Sequence, residues 1–191
     1  MRSLVALTGF ALLLLTLPLS AAAQSAVKKF ESPEHKISFE YPESWEQVPQ
    51  PAPAGLLPTD RVDARELLVV QTRGDANTEF SVALYRLAAP VNDENVDKFF
   101  DAVRAAVKAQ VAKLPDGKVL EVNDILVDDA DGQVYSYEFT LNDQLMYAEK
   151  TVVVDGVDVV DISQVAKDDE YDDKLDIFED IFASLQLPWS Q

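Results

Sequence analysis

No cysteine occurs in the 191 residues, and histidine occurs once, at His35. The first absence removes disulfides, thiol nucleophiles, Fe–S clusters and thiolate zinc sites, and with them a lipid-modified cysteine at a leader junction. The second means that a Ser-His-Asp hydrolase would have to be built on His35, and no G-x-S-x-G elbow accompanies it. Glycine is scarce as well: six residues stand singly, so no Gly-rich loop is present to cradle a phosphate. Basic side chains number 16 against 34 acidic ones, a formal net charge of −18. Nucleic acid, whose phosphates demand Lys and Arg, is thereby excluded as a partner, and adsorption to anionic lipid headgroups is disfavoured.

No apolar run reaches the ~20 residues a membrane-spanning helix needs. The longest, from Val5 to Leu17, follows Arg2 and leads into Pro18-Leu19-Ser20 and Ala21-Ala22-Ala23. A positive start, a short apolar core and a small-residue A-x-A series form a secretory signal peptide. Residues 1–23 are therefore expected to be cleaved between Ala23 and Gln24. The mature chain is expected to be periplasmic or secreted and not membrane-spanning.

Residues 24–30 are small and polar and read as a flexible lead-in, with a single domain over residues 31–188. Within 36–41, Ile37, Phe39 and Tyr41 alternate with polar residues, the period of a half-buried strand. Residues 48–60 hold Pro49, Pro51, Pro53 and Pro58, too dense for a ladder or helix, and read as an extended loop. Strands are predicted at 66–73 and 78–87, joined by Gly74-Asp75-Ala76-Asn77. Residues 92–114 change period: Val96, Phe99, Phe100, Val103, Val107, Val111 and Leu114 make one apolar helical stripe, with Asn92 as the expected N-cap. Further strands are predicted at 118–127, 133–141, 144–154 and 157–165, with turns at Asp131-Gly132, Asn142-Asp143 and Asp155-Gly156. A closing helix is predicted over 169–185, capped by Asp168 or Asp169. Hairpin-linked strands with two separate helices indicate an α+β fold, an antiparallel sheet of about six to seven strands packed with two main helices. The simplest arrangement lays both helices on one face, with Tyr135, Tyr137 and Phe139 pointing into that layer.

The segment Ile37-Ser38-Phe39-Glu40-Tyr41-Pro42-Glu43-Ser44-Trp45 resembles the strand-then-Y-P-x-x-W opening of PsbP-like domains. The Phe178, Phe182 and Ser184-Leu185 pattern is similar to the close of such domains. The resemblance implies an α/β/α sandwich around an antiparallel sheet, which would put the helices on opposite faces. It also implies a role among photosystem II accessory proteins or bacterial secreted proteins, with calcium, chloride or manganese handling in the photosynthetic members. The metal-linked histidines of those members have no counterpart in a chain whose only histidine is His35.

One segment matches part of a calcium loop. In Asp129-Ala130-Asp131-Gly132 with Glu138, the two aspartates, the glycine and the glutamate fall on the third, fifth, sixth and twelfth positions of D-x-[DN]-x-[DN]-G-x5-E. Val134 matches the apolar eighth position, but Val127 occupies the first, where a carboxylate belongs. Asp129, Asp131 and Glu138 are the candidate ligands, weighed against a plain Asp-Gly hairpin turn. A second acidic cluster, Asp168, Asp169, Glu170, Asp172 and Asp173, suits a helix start and offers a weak divalent-cation surface. His35, between Glu34 and Lys36, is expected to be exposed, and Trp45 and Trp189 to anchor packing.

No catalytic residue is assigned, and no cofactor is expected beyond the calcium that this loop would hold. The favoured reading is an exported, non-enzymatic accessory protein of the bacterial envelope that acts on an exported or membrane-complex protein. The alternatives are a small-molecule or calcium-binding module with a pocket beneath the 49–58 loop, a photosystem II accessory protein, and a hydrolase using His35 or paired acids.

Overall fold

The computed structural model describes residues 26–49, 64–75 and 77–190. The expected signal peptide with its Ala23–Gln24 junction, and nearly all of the proline-rich loop, lie outside the described residues.

Five strands precede the first helix: β1 (Val27–Ser32) and β2 (Ile37–Pro42) form a hairpin, and β4 (Ala64–Asp75) and β5 (Thr78–Leu87) form another. Between them lies the two-residue β3 (Glu46–Gln47). After α1 (Val96–Val111) come β6 (Lys118–Val127), β7 (Ala130–Leu141), β8 (Gln144–Asp155), β9 (Asp158–Lys167) and finally α2 (Asp168–Ser184). The main sheet has seven strands in the order β3-β4-β5-β9-β8-β7-β6, antiparallel throughout. The meander β6–β9 thus returns to pair with β5, and α1 spans the gap from one hairpin to the far edge.

Both faces of this sheet are covered, and alternation along each strand says by what. On β5, Phe80, Val82 and Leu84 point to the α2 side, where they join Val160 and Ile162 of β9 and Phe178 and Ile181 of α2. Ala83, Tyr85 and Leu87 point the other way, beneath Phe99, Phe100, Val103, Val107 and Val111 of α1. The helices therefore lie on opposite faces. The one-face placement fails, and the α/β/α layering implied by the resemblance holds. Tyr135, Tyr137 and Phe139 do face a helix layer, that of α1 alone.

The expected lead-in is also corrected, because Val27–Ser32 is a strand. Its six residues pair with β2, and Phe30 sets its ring 5.3 Å from that of Phe39. Lys28 and Lys29 disguise this strand in the sequence: Lys29 lies on the outward face, while Lys28, on the face of Phe30, carries its ammonium to the Trp45 carbonyl. The hairpin is closed at its other side by the C-terminal tail, where Gln186 N donates to Ser38 O at 2.8 Å.

Two caps and three turns differ from expectation: Gly74 and Asp75 lie in β4 and Asp155 lies in β8, so those two turns begin later than expected. Asn92 precedes α1 by a turn: its carbonyl accepts from the amides of Asn95 and Val96, both at 2.9 Å, while Asn95 occupies the N-cap. Lys167, not Asp168 or Asp169, is the N-cap of α2. The β6–β7 turn is Asp128-Asp129, with φ of 50° and 64°, rather than Asp131-Gly132, which lies inside β7 opposite Leu126 and Ile125. Aspartate tolerates the left-handed region, so a tight turn can form without glycine. The Asn142-Asp143 turn stands as read, with φ of 51° and 61°.

Candidate functional site

A cleft of about 1020 Å³ opens where the end of the β1–β2 hairpin meets the C-terminal half of α2. Its floor is built by Tyr41, Trp45 and Ile181, all buried. Trp45 is held there from three sides. Its ring packs edge-on to Phe178 at 6.2 Å, its amide donates to Pro42 O at 2.9 Å, and Lys28 Nζ donates to its carbonyl at 2.9 Å. Gly74 completes the seat, since a Cβ there would fall 2.5 Å from Trp45 Nε1. The glycine expected to serve a turn is needed instead for the close approach of an indole. Around this floor stand Glu40, Glu43 and Asp180, all exposed, and Val27, which is 55% exposed.

A second feature lies under α1, in the middle of the sheet. Lys150 of β8 and Asp161 of β9 form an ion pair at 2.6 Å with both side chains only 1% exposed. Asp161 Oδ1 takes the lysine and a longer bond from Ser163 Oγ at 3.4 Å, whereas Oδ2 has no partner among the described residues. The Tyr85 hydroxyl is buried without a partner as well. Burial and then the Asp161 carboxylate hold the Tyr85 phenol well above its ordinary value, and burial pulls Lys150 below its own. The neighbouring Tyr135 hydroxyl donates to Gln133 Oε1 at 2.5 Å, and Gln133 Nε2 donates to Asp124 at 2.7 Å. This is a packed polar layer in the core, with Tyr85, Gln133, Tyr135, Lys150 and Asp161 all buried.

The expected calcium ligands do not come together. Asp129 sits in the β6–β7 turn and Asp131 one residue into β7, both exposed, while Glu138 lies seven residues further along the same strand. At about 3.3 Å per residue an extended strand separates Asp131 from Glu138 by about 23 Å, and an odd offset puts them on opposite faces. Glu138 pairs across the ladder with Lys118 at 3.4 Å instead. No group of three or more His, Cys, Asp or Glu side chains lies at metal-holding distance among the described residues. The twelve-position loop is thus not formed by these residues, because its third and fifth positions lie at the β6–β7 turn and the start of β7 while its twelfth lies well along β7.

The acidic run at the start of α2 is spread around the helix, and Lys167 Nζ already donates to Glu170 at 2.8 Å. His35 is half-buried in the β1–β2 turn rather than exposed, its amide donating to Ser32 O at 3.1 Å. Lys150 and Asp161 escaped the sequence reading. Their signal was an aspartate set directly between Val160 and Ile162 in an otherwise apolar strand.

No protein-family model and no curated protein matches the sequence. Solved structures do match its fold. The solution structure of cyanobacterial PsbP (CyanoP) from Synechocystis sp. PCC 6803 superposes with a TM-score of 0.58 at 12% identity, covering 87% of this chain and 95% of that one. The crystal structure of LpqN, involved in cell envelope biogenesis of Mycobacterium tuberculosis, gives a TM-score of 0.51 at 14% identity, covering 86% of each chain. The fold is thus PsbP-like.

Proposed function

We propose that this chain, with its PsbP-like fold, is an exported, non-enzymatic accessory protein of the bacterial envelope, and that it holds another exported or membrane-complex protein at the cleft between the β1–β2 hairpin and α2. The observation that carries this reading is the cleft itself: a rigid aromatic floor of Tyr41 and Trp45, an exposed Val27 and a charged rim. Protein interfaces concentrate such aromatic anchors within a polar border. What supports export is the signal-peptide pattern of residues 1–23, and what supports the envelope is the similar fold of an envelope-biogenesis protein. Among the described residues no helix is long and apolar enough to cross a membrane.

Photo-crosslinking side chains placed at Val27 and Ser44 test the reading, with Leu126 at the far edge strand as control. One protein captured from both cleft positions and not from Leu126, in cells fractionated to report the compartment, is the expected outcome. Capture from Leu126 alone, or a protein that remains in the cytoplasm with its leader intact, would overturn it.

A further inference from the structure

We propose that the cleft takes a basic peptide segment carrying an apolar side chain, presented by the partner protein. This rests on the reading of the cleft as the docking site and adds the chemistry of what docks. The rim supplies the carboxylates of Glu40, Glu43 and Asp180, and no basic side chain is among the described residues that line it. On the adjoining strand Lys29 stands across from Glu40 with its ammonium paired to Glu31, and Lys28 Nζ donates to the Trp45 carbonyl oxygen at 2.9 Å. Among the described residues, the charged side chains that line the hollow are these three carboxylates, so its rim is net acidic, which draws cationic groups and repels anionic ones.

Charge alone does not make a site, and the walls add a second requirement. Val27 stands 55% exposed on one side and half-buried Ile177 faces the cleft from α2, above the buried Tyr41 and Trp45 rings. An apolar side chain inserted between them gains the burial that these groups lack. Size selects a peptide over a metabolite. At about 1020 Å³ and open on one side, the cleft reaches the upper limit of small-ligand sites without their enclosure, so a small molecule would keep much of its surface in water. A second copy of the chain would bring a net charge of −18 to the same rim, and an anionic lipid surface would be repelled likewise.

The test is fluorescence anisotropy with the purified protein and a labelled decapeptide of alternating lysine and serine with two central leucines. Two control peptides replace the leucines by serine or the lysines by glutamate. The leucine-containing lysine peptide is expected to bind more tightly than either control, and more weakly as salt rises. Together Glu40→Gln, Glu43→Gln and Asp180→Asn should weaken it about tenfold, the sum of three modest exposed charge pairs. Val27→Ser should weaken it about threefold through lost apolar contact. The remote triple Asp168→Asn, Asp169→Asn and Asp172→Asn should change it less than about twofold. Near-UV circular dichroism of the Trp45 environment establishes that each variant is folded.

Equal weakening by the remote triple would mean diffuse attraction to an acidic surface, and equal affinity for the serine-centred peptide would remove the apolar anchor. Either result overturns the proposal, as does no binding at all. So would self-association that Val27→Ser abolishes, which would give the cleft to a second copy. If cleft crosslinking still captures a protein while the lysine peptide does not bind, docking at the cleft stands and its basic chemistry falls. If both fail, the docking reading falls too.

Discussion

Lys150 and Asp161 lie on adjacent strands, one diagonal step apart in the β8–β9 ladder, and their 2.6 Å contact is sealed beneath α1. Each charge is tolerable there only because of the other. We expect Lys150→Met to destabilise the fold by about 3–5 kcal/mol, because Asp161 would then be buried unpaired. Adding Asp161→Leu should recover most of that loss, since an apolar pair of similar volume needs no desolvation. Urea unfolding of the two single variants and the double variant measures the coupling. Additive losses would show that the two side chains do not act as a pair.

The seat of Trp45 gives a second expectation. Gly74→Ala would place its new methyl group 2.5 Å from the indole Nε1, with Trp45 itself wedged against Phe178. Overpacking of this kind costs about 1–3 kcal/mol. The midpoint in urea should fall and the tryptophan emission should shift, and Trp45→Phe in the same chain should relieve part of the strain.

Alkaline pH should unfold the protein through its tyrosines. Burial holds the phenols of Tyr85, Tyr135, Tyr137 and Tyr171 above their ordinary value near 10. A group whose folded pKa is raised binds its proton more tightly in the native state, so its stabilisation is complete below pH ~10 and is lost as pH rises above that. Lys150, lowered by burial, works in the opposite sense in the window up to its ordinary 10.5. Four phenols outweigh one ammonium. Absorbance at the phenolate band should therefore rise for these four only together with loss of the far-ultraviolet signal. Their ionisation in a folded chain would contradict this.

With 34 acidic and 16 basic side chains, the native state is also crowded by its own charge. Sodium chloride raised from about 0.01 to about 0.15 M shortens the screening length from about 30 to about 8 Å. The thermal midpoint is expected to increase over that range, and a fall would mean that the exposed ion pairs, such as Arg86 with Asp158 at 2.8 Å, outweigh the repulsion.

Period and turn chemistry were enough to find both helices and the strands from β4 to β9, because each has an apolar face in step with its geometry. The side on which a helix lies was harder to read, though a trace was present. Val152-Val153-Val154 and Val159-Val160 are apolar at successive positions, which fits a strand covered on both faces and not on one. The β6–β7 turn departs from the Asp-Gly signal because Asp128-Asp129 bend the chain in the left-handed region without glycine, leaving Gly132 inside β7. The cleft could be read only in pieces. Tyr41 and Trp45 stood out, but Ile177 and Asp180 reach them from the other end of the chain, and no local spacing records that meeting.

The bridge between Ser38 and Gln186 ties the second strand of the domain to a residue 148 positions later, just beyond α2. During synthesis, then, the hairpin that begins the domain has no partner for its open edge until the segment after α2 has been made. The same holds for β5, whose inner neighbour β9 is made much later, as in the pairing of Arg86 with Asp158, 72 residues apart. Contacts of such separation close late and slowly. A nascent chain wired in this way can form its local hairpins early but cannot complete its sheet until β9 has been made.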